Sequence, residues 1–155
     1  MFWGTFRAKQ RASIVVVLVA VTACAEDPPP ASDTDACMQL EMGPYTQVSA
    51  TTSRDVSTPT VADDGNAYTV TLTGSGFGYV KVDATAGRYV VYLDRGLMVN
   101  ALEGAGTPAT LSSATSSDAC ATIKGRHEVT LGAGAVYIGL MSDGGAPVNL
   151  VLAAP

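Results

Sequence analysis

Residues 68–93, YTVTLTGSGFGYVKVDATAGRYVVYL, hold three short β signals in succession, and they decide how the rest of the chain is read. In Tyr68–Thr73 the apolar Tyr68, Val70 and Leu72 alternate with threonines, the period of two expected of a half-buried strand. Tyr79–Asp83 sets Val80 and Val82 on one face and Lys81 and Asp83 on the other. Arg88–Leu93 is apolar at both parities, as in a strand covered on both faces near the centre of a sheet. Between them lie Gly74-Ser75-Gly76-Phe77-Gly78 and Ala86-Gly87, where positive φ is readily adopted and the chain can turn.

The same pattern continues on both sides. His127–Leu131 (HEVTL), Val136–Met141 (VYIGLM) and Val148–Leu152 (VNLVL) read as strands, with Tyr45–Ala50 and Leu97–Leu102 as weaker ones. Gly132-Ala133-Gly134 and Asp143-Gly144-Gly145 supply further turns. Residues 103–119 show little periodicity and predict a long loop, with one helical turn starting near Ser117. Many short strands with hardly any helix signal predict an all-β domain over 37–155, an antiparallel, jelly-roll-like β-sandwich.

Upstream the composition changes. Residues 1–12 are basic, and Ile14–Val21 (IVVVLVAV) is an unbroken apolar run. A membrane-spanning helix needs about 20 apolar residues, so so short a run fits the core of a signal peptide. It ends in Val21-Thr22-Ala23-Cys24, which resembles the lipobox of bacterial lipoproteins with Val in place of the usual first Leu. The resemblance implies a signal peptide over 1–23, cleavage before Cys24, and a lipid on that cysteine anchoring the chain to a membrane. Ala25 is not the Asp that marks inner-membrane retention, so the outer membrane of the cell envelope is expected in a Gram-negative source. Ala23-Cys24-Ala25 equally fits small-x-small secretory cleavage, which would discard Cys24 and release a secreted chain starting at Glu26. Glu26–Asp35 (EDPPPASDTD) has three prolines, four acids and no large apolar residue, so 24–36 is expected to be a flexible tether.

A second resemblance lies in the domain. Val80–Leu93 (VKVDATAGRYVVYL) and Glu128–Leu140 (EVTLGAGAVYIGL) each run strand, Ala-Gly turn, Tyr-bearing strand. Over about 68–152 the pattern resembles the pre-peptidase C-terminal type β-sandwich domains of secreted bacterial peptidases. That likeness implies an accessory binding, targeting or structural role and brings no active-site residues.

Charge narrows the partners. Residues 1–23 contain three of the nine basic residues (Arg7, Lys9, Arg11) and none of the fourteen acidic ones. Six bases and fourteen acids remain, a net charge of about −8 against −5 for the whole chain. Such a surface repels phosphate backbones and argues against nucleic acid. A protein or glycan partner, beside the membrane, is the expectation.

Three cysteines are present. With Cys24 lipidated or removed, Cys37 and Cys120 form an even pair in an oxidising compartment, and a disulfide between them is predicted. Two buried free thiols are the alternative; a metal site would lack companion ligands.

Catalytic and cofactor motifs are not assembled. His127, the sole histidine, shares parity with Val129 and Leu131 and reads as a partly buried strand residue. His127-Glu128 begins like a zinc-protease motif, but Leu131 stands where a second histidine is required. Gly74-Ser75-Gly76 lacks the spacing of a nucleophile elbow, and the Gly74–Gly78 run has no βαβ unit for a dinucleotide. No base, nucleophile and orienter occur together, so a non-enzymatic module without cofactor is expected. Asp63, Asp64 and Asn66 around Gly65 are the one candidate cation loop, since clustered oxygens suit Ca²⁺. The loop lacks the spaced acids and terminal Glu of an EF-hand, and an exposed turn accounts for it too. The only tryptophan, Trp3, lies in the signal. Tyr79, Tyr89, Tyr92 and Tyr137 can form a small aromatic platform, although alternation sends at least half of them inward.

Overall fold

A computed structural model describes residues 31–154 apart from 105, 115 and 145. Residues 1–30, with the expected signal peptide and Cys24, lie outside the described residues. Among the described residues, one helix, α1 (Ala31–Met42), precedes ten strands. These are β1 (Tyr45–Ser49), β2 (Asp64–Thr71), β3 (Gly76–Ala84), β4 (Gly87–Leu93) and β5 (Val99–Glu103), then β6 (Thr107–Pro108), β7 (Thr110–Ala114), β8 (Gly125–Leu131), β9 (Gly134–Ser142) and β10 (Val148–Ala153).

The strands make a β-sandwich of two sheets. A six-stranded sheet has the order β1-β2-β10-β4-β8-β7, and a four-stranded sheet the order β3-β9-β5-β6. All pairings are antiparallel except β1 with β2. The short connections Thr85-Ala86 and Gly132-Ala133 carry the chain from one sheet to the other. Facing side chains interdigitate between the sheets: Val80 and Val82 from β3, Ile138 and Leu140 from β9, Val91 and Leu93 from β4, Leu150 and Leu152 from β10. Burial of this apolar surface is the main favourable contribution to folding.

The two-faced strand β4 is explained by a third layer. Tyr89, Val91 and Leu93 enter the sandwich, whereas Val90 and Tyr92 meet α1 on the outside of the large sheet. From the helix, Ala36, Cys37 and Leu40 pack on Ala67, Val90, Tyr92, Ile123 and Val151. Helix α1 corrects the expected tether: residues 31–36 are helical, and 24–30 lie outside the described residues. Asp33, Ala36, Cys37 and Leu40 recur at i, i+3, i+4 and i+7, so one face of an otherwise polar, proline-preceded segment can be buried. The packed unit therefore includes the residues from 31 onward and does not start at Cys37. At its far end Gly43 adopts φ 63°, and its N–H donates to the Gln39 carbonyl at 3.0 Å, a left-handed C-terminal cap.

The loop expected over 103–119 is corrected too. It contains β6 and β7, and β7 closes one edge of the large sheet against β8. Leu111 is the single large apolar residue there that packs against the core, too weak a period to announce a strand. Beyond it, 118–119 form a hydrogen-bonded turn and not a helix.

Candidate functional site

Two outer faces are available on a sandwich, and here they differ in kind. On the outside of the large sheet, α1 packs over β2, β4 and β10. Cys37 and Cys120 form the predicted disulfide, with Cα atoms 6.1 Å apart, tying the helix to the segment before β8. One turn away sits a polar clamp. Asp33, only 3% exposed, accepts hydrogen bonds from the Tyr92 hydroxyl (2.7 Å), from Arg126 Nε (3.1 Å to each oxygen) and from Ser117 Oγ. Arg126 Nη1 continues to Glu128 Oε1 at 2.7 Å, and Arg88 Nη2 reaches Glu128 Oε2 at 2.7 Å.

The clamp shifts its own titrations. Burial by itself raises the Asp33 carboxyl, but the bonds from Ser117, Tyr92 and Arg126 outweigh it and hold the pKa below the ordinary carboxylate value. Burial and then the Asp33 carboxylate push the Tyr92 phenol up to about 12. Burial works against the Arg126 charge, yet the bonds to Glu128 and Asp33 raise its pKa. Hydrogen bonds from Arg126 and Arg88 lower Glu128. Every charged group here is matched by another, which is the arrangement of a structural latch.

The expected sites fall as follows. Asp63, Asp64 and Asn66 lie at a cleft of about 560 Å³ between α1 and the β2–β10 edge, shared with Asp35 and Gln39. Asp64 Oδ1 accepts the Asn66 backbone N–H (3.1 Å) and Oδ2 accepts Asn66 Nδ2 (2.7 Å), so the loop is closed by its own turn bonds. Among the described residues, the one group of three or more His, Cys, Asp or Glu ligand atoms within 4.8 Å is Cys37, Glu41 and Cys120. Its sulfurs are covalently joined and offer no thiolate. His127 is buried at 7% exposure on the core side of β8, and burial lowers its pKa, so the imidazole is neutral at pH 7.

The four tyrosines divide. Tyr89 and Tyr92 are buried, and the Tyr89 hydroxyl donates back to the Thr85 carbonyl at 2.8 Å, closing the β3–β4 turn. Tyr79 and Tyr137 are half-buried on the outside of the small sheet. That face can be read from register. Tyr79, Gly139 and Asn100 form one row across β3, β9 and β5, and Lys81, Tyr137 and Leu102 form the next. On the other side of the first row, Phe77 pairs with Met141, and Met98 beside them is 65% exposed.

Gly139 makes a dip at the centre of this face. A Cβ there would lie 2.2 Å from Asn100 Oδ1 and 2.7 Å from Tyr79 Cε1, so both side chains lean into the space a side chain would fill. Asn100 Oδ1 is buried with no hydrogen-bond partner among the described residues. Leaving such a group unpaired costs about 1–3 kcal/mol. Beside the same row runs a strap, residues 51–61, hydrogen-bonded along the outer edge of β3. Tyr79 N–H donates to the Thr51 carbonyl (2.7 Å), and Lys81 N–H to the Pro59 carbonyl (2.8 Å). From the strap the Arg54 guanidinium sits 5.5 Å from the Tyr79 ring centroid, a cation–π distance. Sequence reading found Tyr79 and Tyr137 but missed Arg54 and Asn100. A lone asparagine at an outward parity between Val99 and Ala101 was the available signal.

No protein-family model matches the chain, and a search of curated proteins finds no match.

Proposed function

We propose that the chain is a non-enzymatic binding module of the bacterial cell envelope, lipid-anchored at Cys24, that captures its partner on the outside of the small sheet. The observation that carries the reading is the contrast between the faces. One is largely taken up by a disulfide-stapled helix; the other presents the half-buried Phe77, Tyr79 and Tyr137 and the exposed Met98 around an unsatisfied carboxamide oxygen. Apolar groups gathered round a few polar ones are the usual make-up of a binding surface. Strands β2, β4, β8 and β10 in one sheet against β3, β5, β6 and β9 in the other support a jelly-roll topology, an architecture that frequently serves recognition. The lipobox-like Val21-Thr22-Ala23-Cys24 supports anchoring, and the disulfide fits an oxidising compartment. The Ala23-Cys24-Ala25 pattern favours a second reading, a secreted accessory module without lipid.

Retention on insoluble envelope polysaccharide tests the binding face, using the full chain purified in detergent. Wild type and a Met38→Ser/Met42→Ser control are expected to sediment with it, and Tyr79→Ala/Tyr137→Ala to stay in solution. Equal retention of all three would refute the assignment. Intact mass decides the anchor: diacylglycerol on Cys24 is expected, and a chain starting at Glu26 selects the secreted form.

A further inference from the structure

Resting on that reading, we propose that the ligand is an anionic saccharide, a pyranose carrying a carboxylate, gripped by Arg54, Tyr79 and Asn100. Charge points there first. Beyond residue 30 the chain has six basic residues. Four are ion-paired: Lys81 with Asp83, Arg88 with Glu128, Arg95 with Asp143, and Arg126 with Asp33 and Glu128; of the other two, Lys124 lies before β8 and Arg54 lies at the small-sheet face. Arg54 has no carboxylate partner among the described residues and rests on an aromatic ring instead. An uncompensated guanidinium on an acidic protein is a local invitation to an anion, and its planar fork matches a carboxylate.

The surroundings select the rest of the ligand. A pyranose has an apolar face of C–H groups, which suits the flank of Tyr79 and the neighbouring Phe77, whose ring centroid is 6.2 Å away. It also has hydroxyl donors, which Asn100 Oδ1 lacks. A flat apolar anion would satisfy Arg54 and leave the carboxamide unpaired; a neutral sugar would satisfy the carboxamide and leave the cation unused. An acidic sugar answers both.

The strap is prepared for this task. Thr58 Oγ1 bonds the Ser53 carbonyl (3.1 Å) and the Asp55 N–H (3.1 Å), and Asp55 Oδ1 holds the Ser57 N–H at 2.8 Å. These bonds fix the loop on either side of Arg54, so little ordering remains when a ligand arrives. The guanidinium reaches across to the β5–β6 turn, where a Cβ on Gly106 would sit 3.1 Å from Nη1. Moving aside from Tyr79 toward a carboxylate would expose the face of the ring.

The test is calorimetric titration of the full chain in detergent with hexagalacturonate, cellohexaose, chitohexaose and hexaglutamate. Hexagalacturonate is expected to bind at least about tenfold more tightly than the other three, and to lose about tenfold in Arg54→Gln, in line with one charge-assisted contact. Arg54 is exposed, so this variant should fold, and its unchanged melting temperature is the control. Equal binding of cellohexaose, with Arg54→Gln unaffected, would overturn the anionic assignment and leave the glycan face standing. Equal binding of hexaglutamate would overturn the saccharide assignment in favour of charge alone or a peptide. If no hexamer binds while Tyr79→Ala/Tyr137→Ala still abolishes retention on envelope polysaccharide, this inference falls and the binding face survives. If the retention difference is also missing, both fall.

Discussion

Breaking the Cys37–Cys120 bridge should destabilise the whole domain, not merely release the helix. The cross-link spans 83 residues and closes a loop containing α1's second half and seven complete strands. In the chain-entropy model a loop of that length contributes about 4.5 kcal/mol, by restricting the unfolded chain. For a domain of this size that corresponds to a fall in melting temperature of about 15 °C. The full effect requires that helix and sandwich unfold together, which the shared layer of Cys37, Leu40, Val90, Tyr92 and Val151 supports. The assay is calorimetric melting of Cys37→Ala/Cys120→Ala beside the parent, with amide hydrogen exchange on both. A large drop, with protection falling in α1 and in β4 and β10 alike, is expected. A melt within about 3 °C of the parent would refute the reasoning. Loss of protection confined to residues 31–42 would make the helix an independent flap.

Asp33→Asn should cost about 2–3 kcal/mol in denaturant titration, because it removes the buried charge that Arg126 and Tyr92 face while Glu128 continues to hold Arg126. The Asp33 carboxyl is lowered in the folded state, so its stabilisation is present in full above the ordinary carboxylate range. It is lost as the pH falls below about 4 and through the lowered value, and the wild-type stability curve should steepen there while that of Asp33→Asn flattens. Leu40→Ala should cost about 2–3 kcal/mol, whereas Met42→Ala, at a position 78% exposed, should stay within about 0.5 kcal/mol; paired melts check both. Gly139→Ala should push Tyr79 and Asn100 outward at a stability cost of about 1 kcal/mol, yet abolish retention on envelope polysaccharide; equal loss of folding and binding would contradict that separation.

How much of this was written legibly in the chain depends on the range of the interaction. Strands announced by local alternation were readable: the segments around Val70, Val80, Val91, Val129, Ile138 and Leu150 all fall in sheets, and Tyr45–Ser49 and Val99–Glu103 match the two weaker ones. The disulfide was readable too, from parity of the cysteine count and compartment. Helix α1 was not, because its apolar stripe consists of Ala36, Cys37 and Leu40 plus an aspartate whose partners lie 59 and 93 residues away. The two copies of the strand, Ala-Gly turn, Tyr-bearing strand pattern differ in the spacing of their tyrosines. Tyr89 follows Gly87 by two residues, but Tyr137 follows Gly134 by three, and one extra residue turns the ring to the opposite face of its sheet. The candidate site hides for a further reason. Asn100, Gly139 and Tyr79 are neighbours only through the register of β5, β9 and β3, which no local pattern encodes.

Oxidative footprinting of the full chain in detergent, with and without bound envelope polysaccharide, measures directly which face is used. Capture on the small sheet predicts that Tyr79, Met98 and Tyr137 lose reactivity on binding while Met38 and Met42 on the helix keep theirs. Protection of the helix methionines with the sheet residues unchanged would contradict it.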